Sequence, residues 1–296
     1  MKILKIILLI LFTGCTANYE TIANKTSLIA ARQGLVPKIY QTKNFKIYTL
    51  QKISNPKAKV RIYFEGDGKA FITRNIASPN PTPTSYFLIN LIAQDHSANV
   101  IYIARPCQFV QDPKCYGVGA EKNWTNGRFS KEVIDSINEV MMDFRAHNIE
   151  LIGYSGGANI MKYAAISSQK HYGNVLNLRT IAGNLNNEKF SQIHHVKAEY
   201  EFYDDESLSQ RLSKIPQIHF VGGSDEIIPE IIAQSYRDKL PVKNCVQIIK
   251  IPTASHSSGW EENWHELLKI KPSCHQNKAQ KIEKTGLFTI KEVKYV

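Results

Sequence analysis

Two hydrophobic periods alternate along the chain. Residues 45–53 switch between apolar and polar in the manner of a half-buried strand, and residues 60–64 form a short apolar run ending at Glu65-Gly66-Asp67-Gly68. A loop punctuated by Pro79, Pro81 and Pro83 precedes a helical stretch at 86–93, and residues 100–104 give the next strand, stopped by Arg105-Pro106. The clearest helix is 131–147, where Val133, Ile134, Ile137, Val140, Met141 and Phe144 recur at helical spacing and Ser130 is placed to cap. The pattern then predicts strand 150–154, helix 158–167, strand 178–182, an irregular span to Lys214, strand 217–221, helix 229–240, strand 246–251 and helix 260–270. That last helix opens on Ser258-Gly259-Trp260-Glu261, the spacing of a capping box. Strands alternating with helices over this length predict an α/β fold with a mostly parallel central sheet covered by helices on both faces.

The ends of the chain break this pattern. Lys2 and Lys5 precede the apolar run 6–12, which is too short to span a bilayer and reads as a secretory signal. Leu11-Phe12-Thr13-Gly14-Cys15 resembles the lipobox of bacterial lipoproteins, with Phe12 where that family usually has Leu. The resemblance implies cleavage after Gly14 and a lipid-modified Cys15. The expected organisation is a signal peptide over 1–14, then anchor, tether and a short lead-in helix over 15–34 that stops at Gly34. The α/β domain follows over 35–274, and a basic extension over 275–296 carries Lys278, Lys281, Lys284, Lys291 and Lys294. The expected location is the bacterial cell envelope, lipid-anchored to a membrane, on the periplasmic face of the outer membrane in a Gram-negative cell.

Composition narrows the classes. With 43% hydrophobic and 21% charged residues among 296, the chain is neither disordered nor collagen-like, and it can bury a sizeable core. Setting Cys15 aside leaves Cys107, Cys115, Cys245 and Cys274, an even number in an exported chain, which suggests two disulfides among three connectivities. Cys107 and Cys115 flank one short loop. A strand at 246–251 followed by an antiparallel helix at 260–270 returns the chain to its starting level, which favours Cys245 with Cys274. The net charge of +11 falls by two when Lys2 and Lys5 leave with the signal. No arginine-rich stripe with interleaved aromatics accompanies it, so no nucleic-acid partner is expected. Neither H-E-x-x-H nor paired C-x-x-C occurs, nor a phosphate-binding G-x-x-x-x-G-K-[ST], so no metal and no cofactor are expected.

The chemistry concentrates at strand exits. Gly153-Tyr154-Ser155-Gly156-Gly157 matches G-x-S-x-G between a predicted strand and a predicted helix, the context of a nucleophile elbow. Ser155 must sit on a strained turn there, with Gly153 and Gly157 leaving room for the turn to pack. A serine hydroxyl is a weak nucleophile and needs a base and an orienting acid. His256 follows strand 246–251 and Asp225 follows strand 217–221, giving the order Ser, Asp, His with each residue beyond a strand's carboxyl end. Glu226 is the alternative acid. His265 within a helix, His219 within a strand, and His194 with His195 read as core or surface histidines, and Asp204 with Asp205 as a solvated turn. Two N–H donors must face the developing oxyanion. One is expected from Gly156 and the other from the loop after strand 60–64, first Asp67 and then Gly68. The Asp67 carboxylate is an anomaly beside an oxyanion, and it either points away or pairs with Arg105 or Lys69.

These residues resemble the α/β-hydrolase superfamily, and more narrowly a group of poorly characterised bacterial α/β-hydrolase lipoproteins. The resemblance rests on Tyr63-Phe64-Glu65-Gly66-Asp67-Gly68, Ala104-Arg105-Pro106-Cys107-Gln108, Trp124 with Arg128-Phe129, and Gly153-Tyr154-Ser155-Gly156-Gly157. It continues through Ala182-Gly183-Asn184-Leu185 and Pro216-Gln217-Ile218-His219-Phe220-Val221-Gly222-Gly223 to Asp225 and His256, covering about residues 45–270. It implies the fold and a Ser-His-Asp hydrolase, with residues 65–68 where lipases and esterases place an HGGG-type loop; it implies no substrate. The expectation is a lipid-anchored serine hydrolase of carboxylic esters or thioesters, acting on a small-molecule or lipid-like acyl substrate. A peptidase or amidase on the same triad, or a non-catalytic envelope lipoprotein, are the alternatives. The 184–214 span is either a lid or ordinary packing, with Phe190, Tyr200, Phe202 and Tyr203 as its aromatic residues, and residues 124–129 are a second candidate rim.

Overall fold

Val60–Phe64 is buried at all five positions, and so is Asn99–Ile103, as strands enclosed on both faces must be. The computed structural model of the protein describes residues 19–171, 175–197 and 206–274. Its strands are β1 (Val36–Gln41), β2 (Lys46–Ile53), β3 (Val60–Phe64), β4 (Phe71–Thr73), β5 (Ile76–Ala77), β6 (Asn99–Ile103), β7 (Ile149–Tyr154), β8 (Val175–Ile181), β9 (Gln217–Gly222) and β10 (Val246–Ile251). Its helices are α1 (Tyr19–Ala31), α2 (Phe87–Ile92), α3 (Lys131–Met141), α4 (Gly157–His171), α5 (Asn187–His194), α6 (Glu206–Leu212), α7 (Ile231–Lys239) and α8 (Glu261–Lys269).

Eight strands form one sheet in the order β1-β2-β6-β3-β7-β8-β9-β10. β1–β2 and β2–β6 pair antiparallel, and every later neighbour is parallel. The period-2 alternation of β3 splits its side chains between two cores. Val60, Ile62 and Phe64 face a cluster containing Ile134, Ile137, Met161 and Tyr236 from α3, α4 and α7. Tyr63 faces the other, with Leu88, Leu91, Trp260 and Trp264 around α2 and α8. Helices therefore cover both faces, as the sequence pattern predicts. The parallel strands β3, β7, β9 and β10 all end at one edge, which gathers the loops beginning at Glu65, Ser155, Gly223 and Pro252.

The opposite edge is closed by charge. Arg61 and Glu150 are register partners on β3 and β7, 2.8 Å apart, and Arg61 also meets Asp95 at 2.8 Å. Burial alone would raise the Glu150 carboxyl, but the Arg61 charge, the hydrogen bonds from Lys59 and Arg61 and the Arg179 charge together outweigh it and lower it to about 2.

Several expectations change. The described part of the span to Lys214 contains two helices, α5 and α6. The edge strand β1 and the β4–β5 hairpin are additional elements. The helix at 131–147 ends at Met141 and tightens into a 3-10 turn at Met142–Phe144. Ser130 takes the N-cap place without a side-chain bond to the helix. The capping box at Ser258 does not form: Trp260 is the N-cap residue, and Ser258 Oγ lies 2.6 Å from Ser255 Oγ instead. Both disulfides, Cys107–Cys115 and Cys245–Cys274, are present. The signal peptide, Cys15, the start of the tether, Tyr200, Phe202, Tyr203, Asp204, Asp205 and the basic extension lie outside the described residues. Among those described, no helix is long and apolar enough to cross a membrane.

Candidate active site

β7 runs straight into α4 through Ser155, whose φ of 49° is left-handed, a conformation that costs a non-glycine residue about 1 kcal/mol or more. Neighbouring backbone holds it there. Its N–H donates to Ile181 O (3.1 Å), and its carbonyl accepts from Ala158 N–H (3.1 Å) and Asn184 N–H (2.9 Å). The flanking glycines are needed for close approach: a Cβ on Gly153 would lie 2.5 Å from Ala158 Cα, and one on Gly157 2.4 Å from Phe64 O.

Two further loops bring the base and the acid. After β9 and β10 the chain is zipped by Gly223 N–H to Ile251 O (2.8 Å) and Ser224 N–H to Ala254 O (2.9 Å). The turn carrying His256 is held by Ser255 N–H to Ser258 O (3.0 Å) and by Trp260 Nε1 to Ser255 O (2.8 Å). His256 Nε2 lies 3.0 Å from Ser155 Oγ, and Nδ1 lies 3.0 Å from Asp225 Oδ2. The other carboxylate oxygen, Oδ1, accepts from Ile227 N–H (2.9 Å) and Ile228 N–H (2.8 Å). The Asp225 side chain is wholly enclosed and that of His256 is 17% exposed, so the acid is dry and the base reachable. Tyr154 packs its ring 5.4 Å from that of His256 and 4.8 Å from Phe87, fixing the wall behind the imidazole. Burial holds its phenol above its usual range, so it stays neutral.

The third loop follows β3. The N–H groups of Gly156, Asp67 and Gly68 donate to no described residue. The Asp67 carboxylate does not point away. It presses on the elbow, where a Cβ on Gly156 would lie 2.1 Å from Oδ1. Arg105 Nη1 meets Oδ1 at 2.9 Å and Arg128 Nε meets Oδ2 at 3.0 Å. Arg105 was foreseeable as a partner; Arg128 was not, and Lys69 is exposed instead. The Asp67 carboxylate is thus matched by the Arg105 and Arg128 guanidiniums, which eases the expected conflict with an oxyanion. Gln108 secures the loop from below, donating to Gly66 O (3.1 Å) and accepting from Arg105 N–H (3.0 Å).

Glu65 is the unforeseen titratable group here. It accepts from Gly66 N–H (2.8 Å) and Tyr102 Oη (2.9 Å), and burial pushes its carboxyl up to about 7. Unfolded, it would titrate near 4.5. Between those values the folded chain holds the extra proton, so this group's contribution to stability falls as pH rises through the window. Glu65→Gln keeps the Gly66 bond and donates to Tyr102, without the charge. Its gain in urea stability over the natural chain is expected to be larger at pH 8 than at pH 5, by up to about 3 kcal/mol. Equal gains at both pH values would show that Glu65 does not titrate in this window.

These loops border an open cleft of about 1320 Å³ that includes Ser155, His256, Asp67 and Gly68. Thr125, Asn126 and Arg128 form one wall, as expected of the 124–129 rim, while Phe190, His195, Val196 and Lys197 form another. The remaining rivals fall elsewhere. His219 is buried against Thr180 Oγ1 (3.0 Å), and burial lowers its imidazole to about 3. His265 rings with His96, His194 Nε2 meets Ile227 O at 2.7 Å, and Glu226 is exposed. Among the described residues no cluster of His, Cys, Asp or Glu could hold a metal ion.

No family model matches the chain, and no curated protein matches it by sequence. Solved structures do. Est1E from Butyrivibrio proteoclasticus is 10% identical with a TM-score of 0.52, over 78% of this chain and 97% of that one. A bacterial membrane phospholipase A described as a virulence factor is 13% identical with a TM-score of 0.51, over 84% and 89%. A cold-adapted esterase from an Arctic intertidal metagenomic library is 10% identical with a TM-score of 0.50, over 78% and 89%. At such identities the likeness concerns the path of the chain.

Proposed function

The chain has the α/β-hydrolase fold, and from the site it carries we propose a serine hydrolase that cleaves carboxylic esters or thioesters through an acyl-enzyme. The observation behind this reading is the unbroken relay Ser155–His256–Asp225, two contacts of 3.0 Å joining three separate strand exits. His256 takes the Ser155 proton as Oγ attacks the acyl carbon, then returns it to the leaving group. Asp225 keeps Nδ1 protonated and stabilises the imidazolium. The Gly156 amide and that of Asp67, or of Gly68, receive the oxyanion, helped by the N-terminus of α4. Water then repeats the sequence on the acyl-serine. The phospholipase A and the cold-adapted esterase among the structures of similar fold agree with an acyl substrate.

A fluorophosphonate probe tests this. Labelling of the folded chain at Ser155, absent in Ser155→Ala, is the expected result; a folded chain inert to the probe would sink the proposal. A panel of esters, thioesters and peptides then separates ester from amide cleavage. The envelope address is part of the same proposal and rests on the lipobox-like run ending at Cys15. Labelled palmitate should enter the expressed chain and be lost in Cys15→Ser; incorporation that survives this substitution would refute it.

A further inference from the structure

We propose that the rim of the cleft docks on an anionic lipid bilayer, with the β4–β5 hairpin as its apolar wedge. That hairpin forms a separate two-stranded sheet. Phe71, Ile72 and Ile76 are 42%, 56% and 57% exposed. Successive strand residues point to opposite faces, so exposure of both Phe71 and Ile72 leaves apolar side chains uncovered on each side. Single exposed apolar residues are ordinary, whereas contiguous ones mark a partner.

Here they are contiguous. Arg74, at the hairpin's turn, donates to His194 O (2.6 Å) and His195 O (3.3 Å), tying the hairpin to the end of α5, where Val196 is exposed. His194 Nε2 in turn meets Ile227 O at 2.7 Å, which brings in the loop and first turn carrying exposed Ile227 and Ile231. Three segments, linked by hydrogen bonds, thus turn apolar side chains outward around one mouth.

Charge selects the occupant. Lys69 and Lys197 are exposed on this cleft and form no ion pair with a described residue, and Arg74 adds a third cation. Among the described residues the acids lining this cleft are Glu65, which is buried, and Asp67, which is committed to Arg105 and Arg128, while exposed Glu226 adjoins Ile227. Apolar side chains interspersed with these exposed cations suit a bilayer, where the former enter the acyl boundary and the latter stay level with lipid phosphates. Phe71, Arg74, Val196 and Ile227 also line the cleft that reaches Ser155. Docking would therefore point its mouth at the bilayer, so that an ester held there enters without crossing water. This delivery step rests on the hydrolase reading; the docking does not.

The test compares the full chain with its Ile72→Ser/Ile76→Ser variant, neither residue lining the cleft. Substrates are a soluble p-nitrophenyl ester and a long-chain ester held in phosphatidylcholine vesicles, with or without phosphatidylglycerol. The soluble rate is expected to stay unchanged. Phosphatidylglycerol should speed vesicle hydrolysis by the unaltered chain, with the advantage shrinking in high salt, and the variant should lose about tenfold on those vesicles. Equal vesicle rates for the two chains, or indifference to phosphatidylglycerol, overturns the docking. Flotation of the Cys15→Ser chain with the same vesicles reads docking without turnover or acyl anchor. Phosphatidylglycerol-dependent flotation that fails in the Ile72/Ile76 variant upholds docking even where the soluble ester is not cleaved, an outcome that counts against the hydrolase reading alone. Flotation independent of phosphatidylglycerol overturns the docking.

Discussion

Asp225→Asn is expected to lower kcat on a soluble ester by about four orders of magnitude, with KM and melting temperature close to those of the natural chain. The reason is a conflict of donors. Asp225 Oδ1 is fixed by two backbone donors, Ile227 N–H and Ile228 N–H, inside a side-chain environment closed to solvent. An asparagine must keep its carbonyl oxygen there, because its amide nitrogen cannot accept either bond. That turns the NH2 toward His256 Nδ1. The ring can meet this donor only with a lone pair on Nδ1, which moves the proton to Nε2, 3.0 Å from Ser155 Oγ. A protonated Nε2 cannot take the serine proton. Glu226→Gln serves as the control, since that side chain is exposed, and should leave kcat within about twofold. If the asparagine chain keeps more than about a tenth of kcat while the glutamine chain loses it, the acid has been assigned to the wrong neighbour.

This triad was legible because each member follows a strand whose own pattern is local. G-x-S-x-G, Gly222-Gly223-Ser224-Asp225 and the residues before His256 all sit at the ends of apolar runs, and parallel strands bring such ends to one edge. The elements that escaped lack that signature. β1 is an edge strand with five of six positions exposed, so no core face imposes alternation on Val-Pro-Lys-Ile-Tyr-Gln. α5 buries little beyond Asn187 and Ser191, both polar. Its one usable signal was Asn186, whose side chain accepts from Lys189 N–H at 3.1 Å as an N-cap. The capping box at Ser258 failed because Gly259, at a φ of 78°, turns the chain and leaves the cap place to Trp260. Sequence could offer Arg105 for Asp67 from proximity to a strand end. The approach of Arg128, from the loop before α3, depends on tertiary packing. The same holds for Glu65, whose shift comes from burial that no residue pattern encodes.

That packing makes Asp67 the second site where one substitution should have a large effect, of about 3 kcal/mol on stability and about a hundredfold on kcat in Asp67→Ala. The Arg105 and Arg128 side chains are 5% and 7% exposed, and the carboxylate they share is 21% exposed. Taking it away removes the carboxylate that both guanidiniums share in a poorly hydrated corner, where Arg128 O and Thr125 O are neutral acceptors. Asp67→Asn should fall between, since an amide oxygen retains part of the hydrogen bonding without the charge. The catalytic cost has a separate origin. Asp67 Oδ1 fills the space beside Gly156, so losing it removes the wedge that sets the 65–68 loop against the elbow. Donors that must meet an oxyanion within a few tenths of an ångström would then lose their fixed position. Urea midpoints and kcat measured on the same preparations separate the two effects. Lys69→Ala, which removes an exposed ammonium, should leave stability within about 0.5 kcal/mol. Full stability with a hundredfold loss of kcat would mean that the arginines find other partners while the loop still drifts. Natural kcat in Asp67→Ala would instead show that the carboxylate is not needed to hold the 65–68 backbone in place.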